Sequence, residues 1–153
     1  MIPCNVGDKE QLEALVAQTK EVFGGIDTVV CNAAANPSYG PMHELEDSAF
    51  DKIMTVNVQS NLWLANLVAP LMIERGGGSM ILIASIAGLG GSRSLGAYAV
   101  SKAAQIQLAR NLAVEWGRKS IRANCIAPGL IKTDFAKALW ENEALRTAFE
   151  KKT

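Results

Sequence analysis

Tyr98 and Lys102 stand four residues apart in a stretch, Ala97–Gly117, whose pattern predicts a helix. That spacing puts both on one face, a turn apart. A phenol ordinarily loses its proton near pH ~10, and a cation held beside it favours the phenolate and draws that value toward neutrality. Such a tyrosine can give a proton to a carbonyl oxygen or take one from an alcohol. Ser85 lies thirteen residues before Tyr98, at the end of a predicted strand. The loop between them, Ile86–Ala97, consists mostly of small residues, and Gly88, Gly90, Gly91 and Gly96 would let it lie close to a ligand. Asn32-Ala33-Ala34 and Ala127-Pro128-Gly129 come directly after two other predicted strands. Taken singly, each of these is an ordinary turn former or surface residue. Their convergence carries the signal.

The elements that must position these residues alternate along the chain. Met1–Cys4 reads as the end of a strand, Lys9–Phe23 as a helix closed by Gly24-Gly25, and Thr28–Cys31 as a buried strand. Asn36–Pro41 is turn-rich. A long helical stretch runs from Ser48 to about Arg75, as one helix or two, with Pro70 as a candidate kink. Met80–Ala84 is the next strand, Ile121–Ile126 the last, and Leu130 to Thr153 reads as two helical pieces. Strands without polar alternation, separated by helices, predict a parallel sheet with helices on both faces. Ligands of such sheets bind beyond the carboxyl ends of the strands, where Asn32, Ser85 and Pro128 fall.

Composition excludes several classes. The 153 residues hold 15 Lys plus Arg against 15 Asp plus Glu, a net charge of zero, which argues against a nucleic-acid or anionic-membrane surface. The apolar fraction of 49% with 20% charged residues is that of a globular domain, and no apolar run reaches membrane-spanning length. One His excludes a multi-histidine metal site, and no metal is expected. Cys4, Cys31 and Cys125 are scattered within or beside apolar runs, as packing thiols of a reducing compartment, and the expected location is cytoplasmic. A serine hydrolase would need His43 as its base and a Gly-x-Ser-x-Gly elbow, and Ser85 sits instead in Ala84-Ser85-Ile86.

At these residues the chain resembles the short-chain dehydrogenase/reductase family. The family's Tyr-x-x-x-Lys is Tyr98-Ala-Val-Ser-Lys102, its catalytic serine falls on Ser85, and its tetrad asparagine falls on Asn57 in Val56-Asn57-Val58. Its Asn-Asn-Ala-Gly motif is Cys31-Asn32-Ala33-Ala34, and its Pro-Gly turn is Pro128-Gly129, with Ile131 and Thr133 just beyond. The resemblance implies an α/β fold: a partial Rossmann-like, doubly wound parallel sheet without the first β-α-β unit and the last strand, forming a single incomplete dinucleotide-binding and catalytic domain over residues 1–153. It implies hydride transfer between NAD(P) and an alcohol or carbonyl substrate. Tyr98 would be the general acid/base, with Lys102 lowering its pKa and holding the nicotinamide ribose. Ser85 would bond the substrate oxygen, and Asn57 would hold a water in a relay from Lys102. Pro128, Gly129, Ile131 and Thr133 would line the nicotinamide side. Asn32, Ala33 and Ala34 would pack on the adenosine side, and Asn5 and Val6 would meet the adenine edge. A weaker similarity to NADPH-dependent carbonyl and retinal reductases favours NADP.

The chain departs from the family pattern in three places. The glycine-rich turn that opens the family's domain is absent, Asn5 replaces an aspartate, and Ala34 replaces a glycine. The implied assembly is a homo-oligomer, dimer or tetramer, with no nucleic-acid or membrane partner. The competing expectation is a catalytically inert fragment that serves only as a subunit-interaction module.

Overall fold

The computed structural model describes residues 1–134, 136, 140–143 and 146–147. Helix α1 spans Lys9–Phe23. Asp8 starts it by accepting from the backbone N–H groups of Glu10 and Gln11, at 3.0 and 3.3 Å. Gly24 ends it in the left-handed conformation at φ 75°, which costs a glycine little. Strand β1 is Thr28–Cys31. Then come α2 (Asp47–Met54), a single π-helical segment (Thr55–Gln59) and α3 (Ser60–Glu74), joined end to end. Strand β2 is Gly78–Ile83, α4 is Gly96–Trp116 and β3 is Ile121–Ile126.

The three strands pair in parallel in the order β1-β2-β3. Val29, Met80 and Ala123 stand in register, as do Cys31, Leu82 and Cys125. These residues share one face of the sheet, where they meet Val16 of α1, Ala65, Val68 and Met72 of α3, and Ala109 and Leu112 of α4. The three helices form one layer on this side, and it holds the core.

Four sequence expectations need correction. Met1–Cys4 carries no strand pairing, because among the described residues no strand lies beside the free edge of β1. The sheet therefore has three strands. Strand β3 does alternate: Ile121, Ala123 and Cys125 turn toward the helices, while Arg122, Asn124 and Ile126 face the other side. That other side is half open, with Val30 52% and Ile126 51% exposed, since the described helices all pack on the first. Finally, α3 runs through Pro70 to Glu74, and the irregular point of the long stretch is the π-helical segment. The two helical pieces expected over Leu130–Thr153 fall largely outside the described residues. No helix among the described residues is long and apolar enough to cross a membrane.

Candidate active site

The carboxyl ends of all three strands open into one cavity of about 460 Å³. Asn32, Ala33 and Ala34 line it after β1, and Ser85 after β2. Pro128, Gly129, Ile131 and Thr133 line it after β3, and Tyr98 and Lys102 project from the first turns of α4. Of the expected site residues, all line this cavity except Asn5, Val6 and Asn57. Asn5 and Val6 belong to the approach to α1: the Asn5 side chain accepts from Gly7 N at 3.1 Å, and its backbone N–H donates to Gln11 Oε1 at 2.8 Å.

Lys102 is only 2% exposed. Its Nζ donates to the carbonyl of Ile83, the last residue of β2, at 2.8 Å. It lies 5.3 Å from the centroid of the Tyr98 ring, over the ring face. Burial holds its pKa down, from 10.5 to about 8, with Cys125 pulling weakly the other way. Between those two values the unfolded chain holds a proton that the folded chain has released, so stability rises with pH. Cys31 opposes this above its ordinary 9.0, because burial pushes its thiol up to about 11. Cys4 and Cys125, also raised from 9.0, act in the same sense, so denaturation midpoints should rise from about pH 8 to about pH 9 and then turn over. The rise should be missing in Lys102→Met, and a wild-type curve that is flat or falling through that window would refute the assignment.

Tyr98 is shifted opposite to what a nearby cation alone implies. Burial raises its pKa first, a hydrogen bond with Ser85 lowers it in part, and the Tyr39 phenol raises it. Burial is the largest of these, so the phenol is a proton carrier rather than a phenolate at neutral pH. The Ser85 Oγ also accepts from Ala87 N at 3.1 Å, which starts the short turn Ile86–Leu89. Gly88 lies in that turn, where a Cβ would come within 2.7 Å of the backbone of Lys102 and Ala103. Its missing side chain lets the Ser85 loop rest on α4, so this glycine serves the protein's own packing. Gly90 and Gly91 face open space.

Asn57 is fully buried and sits behind the cavity. The π-helical segment presents its side chain to two elements at once. Oδ1 accepts from Ala35 N at 2.7 Å, while Nδ2 donates to Ala35 O at 3.0 Å and to Ser101 Oγ at 3.0 Å. Ser101 in turn donates to the Tyr98 carbonyl at 2.7 Å. One amide thus couples the loop after β1 to the helix that carries Tyr98. Both amide protons are engaged, so a water relay from Lys102 could use Asn57 only as an acceptor.

Sequence reasoning missed Ser101, Ala35 and the cavity-lining Asn36, Tyr39, Leu95, Leu130 and Ala136. The i,i+3 spacing of Tyr98 and Ser101 could have revealed Ser101. Nothing local marks Ala35. Cys4, Cys31 and Cys125 are free thiols, and the pKa of each is raised, chiefly by burial. Among the described residues no group of three His, Cys, Asp or Glu side chains could hold a metal.

Tyr98, Lys102 and Ser85 thus meet at the carboxyl-end side of a parallel sheet. A family model described as enoyl-(acyl carrier protein) reductase matches residues 1–153, and the chain belongs to the short-chain dehydrogenase/reductase family. Dehydrogenase/reductase SDR family member 4 of Oryctolagus cuniculus is 47% identical over 141 residues, covering 92% of this chain and 54% of the relative. SDR family member 2 of Homo sapiens, named as mitochondrial, is 44% identical over 149 residues, covering 97% of this chain and 53% of the relative. The chain thus spans about half the length of the curated relatives it matches. A solved gluconate 5-dehydrogenase from Burkholderia cenocepacia, in complex with NADP and tartrate, aligns with a TM-score of 0.90 at 30% identity over 97% of this chain and 58% of its own. A 7α-hydroxysteroid dehydrogenase complexed with NADH and 7-oxo glycochenodeoxycholic acid aligns with a TM-score of 0.84 at 36% identity over 89% of this chain and 52% of its own.

Proposed function

We propose that this chain carries the proton-transfer site of an NAD(P)-dependent oxidoreductase acting on an alcohol or carbonyl substrate. The observation that carries this reading is the hydrogen-bonded Ser85–Tyr98 pair beside the buried Lys102, in a cavity that all three strand ends face. The nicotinamide end of the cofactor fits what the chain offers. Ala33 and Ala34 leave room at one wall, Pro128–Thr133 form the other, and Lys102 is the buried cation between them. The glycine spacing that usually cradles a pyrophosphate is not in this sequence: Gly88-Leu89-Gly90-Gly91 follows a strand but lacks it. When bound, the nicotinamide supplies or accepts the hydride. Of the similar solved structures, the gluconate 5-dehydrogenase holds NADP and the 7α-hydroxysteroid dehydrogenase holds NADH, so the reading covers both nucleotides.

The residues would do the rest. Ser85 orients the substrate oxygen toward Tyr98, and the phenol gives up its proton as negative charge develops on that oxygen. Lys102, tethered to the end of β2, stabilises the phenolate left behind. In the oxidative direction Tyr98 takes the alcohol proton. Asn57 and Ser101 are positioning residues that fix the backbone at Tyr98. A second copy of the chain would pack on the exposed Leu62, Val100 and Val114 of α3 and α4, as a homo-oligomer.

The test is NADPH consumption by the purified protein across ketones and aldehydes, with nucleotide binding measured in parallel. Carbonyl-dependent turnover supports the reading. A protein that binds neither nucleotide and consumes none sinks it, and the interaction-module alternative then leads. The raised pKa of Tyr98 adds a signature in pH. Reduction needs the protonated phenol, so its rate should stay level through neutrality and fall only at alkaline pH. Oxidation needs the phenolate, so its rate should climb with pH. A reduction rate that halves between weakly acid and neutral pH would contradict the shift.

A further inference from the structure

Residues 127–134, the wall of the cavity after β3, form no helix or strand, and hydrogen bonds tie the wall at its base and at its far end. At its base the Pro128 carbonyl accepts from Ile86 N at 3.0 Å, tying it to the Ser85 loop. At its far end the indole Nε1 of Trp140 donates to the Thr133 carbonyl at 2.8 Å. Lys132 Nζ lies 4.8 Å from the centroid of the Trp140 ring, a cation–π pair. The Thr133 hydroxyl accepts from Ala136 N at 3.3 Å. Between the two ties, Gly129, Leu130, Ile131 and Thr133 face the cavity.

We propose that Lys132 and Trp140 form a clasp that positions this wall. Neither residue is among the cavity-lining side chains. They act through the backbone of Thr133, which Trp140 grips from seven residues further along the chain. A segment outside helix and strand, with Ile131 59% exposed, is drawn from the low-stability end of a fold, so the clasp bears on how much of the time the wall stands where it is seen. An occupant that needs the standing wall binds in proportion to that fraction. The consequence for nucleotide binding rests on the function proposed above, and the clasp itself does not.

The two substitutions separate its parts. Trp140→Phe removes the N–H donor and keeps a ring for the cation. Lys132→Met removes the cation and keeps the aliphatic stem. Amide hydrogen exchange on the full chain without any nucleotide reads the wall directly. Both variants should speed exchange over residues 129–134, leave β2 and α4 unchanged, and be rescued at Lys132 by arginine. In parallel, NADPH affinity should weaken about five- to tenfold, roughly the effect of one lost hydrogen bond, while kcat at saturating nucleotide stays the same. Unchanged exchange over 129–134 in both variants overturns the clasp. So does faster exchange with no loss of affinity in a protein that binds NADPH. If the wild-type chain binds no nucleotide, the proposed function falls, and the exchange contrast alone decides the clasp.

Discussion

Tyr98→Phe is expected to lower turnover by about 10²–10⁴-fold, the usual share of a positioned general acid, while nucleotide affinity stays near the wild-type value. The phenylalanine keeps the ring against Lys102 and removes only the oxygen that bonds Ser85. The Lys102 ammonium remains tied to Ile83, so the fold around it has no reason to move. A proton must then come from water, which is neither oriented by Ser85 nor backed by a buried cation. The check is steady-state kinetics of carbonyl reduction next to a nucleotide titration. Turnover within a factor of about ten of wild type would show that another group carries the proton, since the lost step is worth more than that. Tyr39, the other phenol of the cavity, would be the first to examine.

Asn57→Leu is expected to cost about 3–5 kcal/mol of folding stability. The estimate comes from the partners left behind rather than from the asparagine itself. The Ala35 N–H, the Ala35 carbonyl and the Ser101 hydroxyl each lose a hydrogen bond, and a buried polar group without a partner costs about 1–3 kcal/mol. Against the roughly 5–15 kcal/mol that holds a domain of this kind together, that is a large share. Urea unfolding gives the number. Ser101→Ala is the comparison, expected to lose only about 1 kcal/mol because one bond from Asn57 and one to the Tyr98 carbonyl are involved. A loss below about 1 kcal/mol in Asn57→Leu would mean that the knot relaxes or that water replaces it.

Much of this arrangement was legible in the chain as written. The extent of α1 comes from its apolar repeat and Gly24, the strand Thr28–Cys31 from its apolar run, and the cavity from the residues at the carboxyl end of each strand. The features that stayed hidden have a common cause. The fate of Met1–Cys4 depends on whether a neighbouring strand exists, and no property of those four residues records it. The direction of the Tyr98 shift depends on burial and on where over the ring Lys102 lies, whereas spacing reports only that the two are close. The partnership of Asn57 with Ala35 spans 22 residues and uses the backbone of its partner, for which side-chain identity offers no signal.

The π-helical segment at Thr55–Gln59 gives the long helical stretch one residue more than a regular α-helix would hold there. Core positions on both sides, Ile53 before it and Ala65 and Val68 after it, still reach the interior. The placement of the Asn57 amide is therefore written in chain length more than in residue type. Exchanging Thr55 or Gln59 for another helix former leaves the count intact. Losing any one residue of the five would regularise the helix with its faces still in phase, but would remove the wide turn that presents the Asn57 amide. An insertion or deletion here is thus a heavier lesion than a substitution, and a length change between otherwise similar chains marks a site whose amide no longer meets the loop after β1.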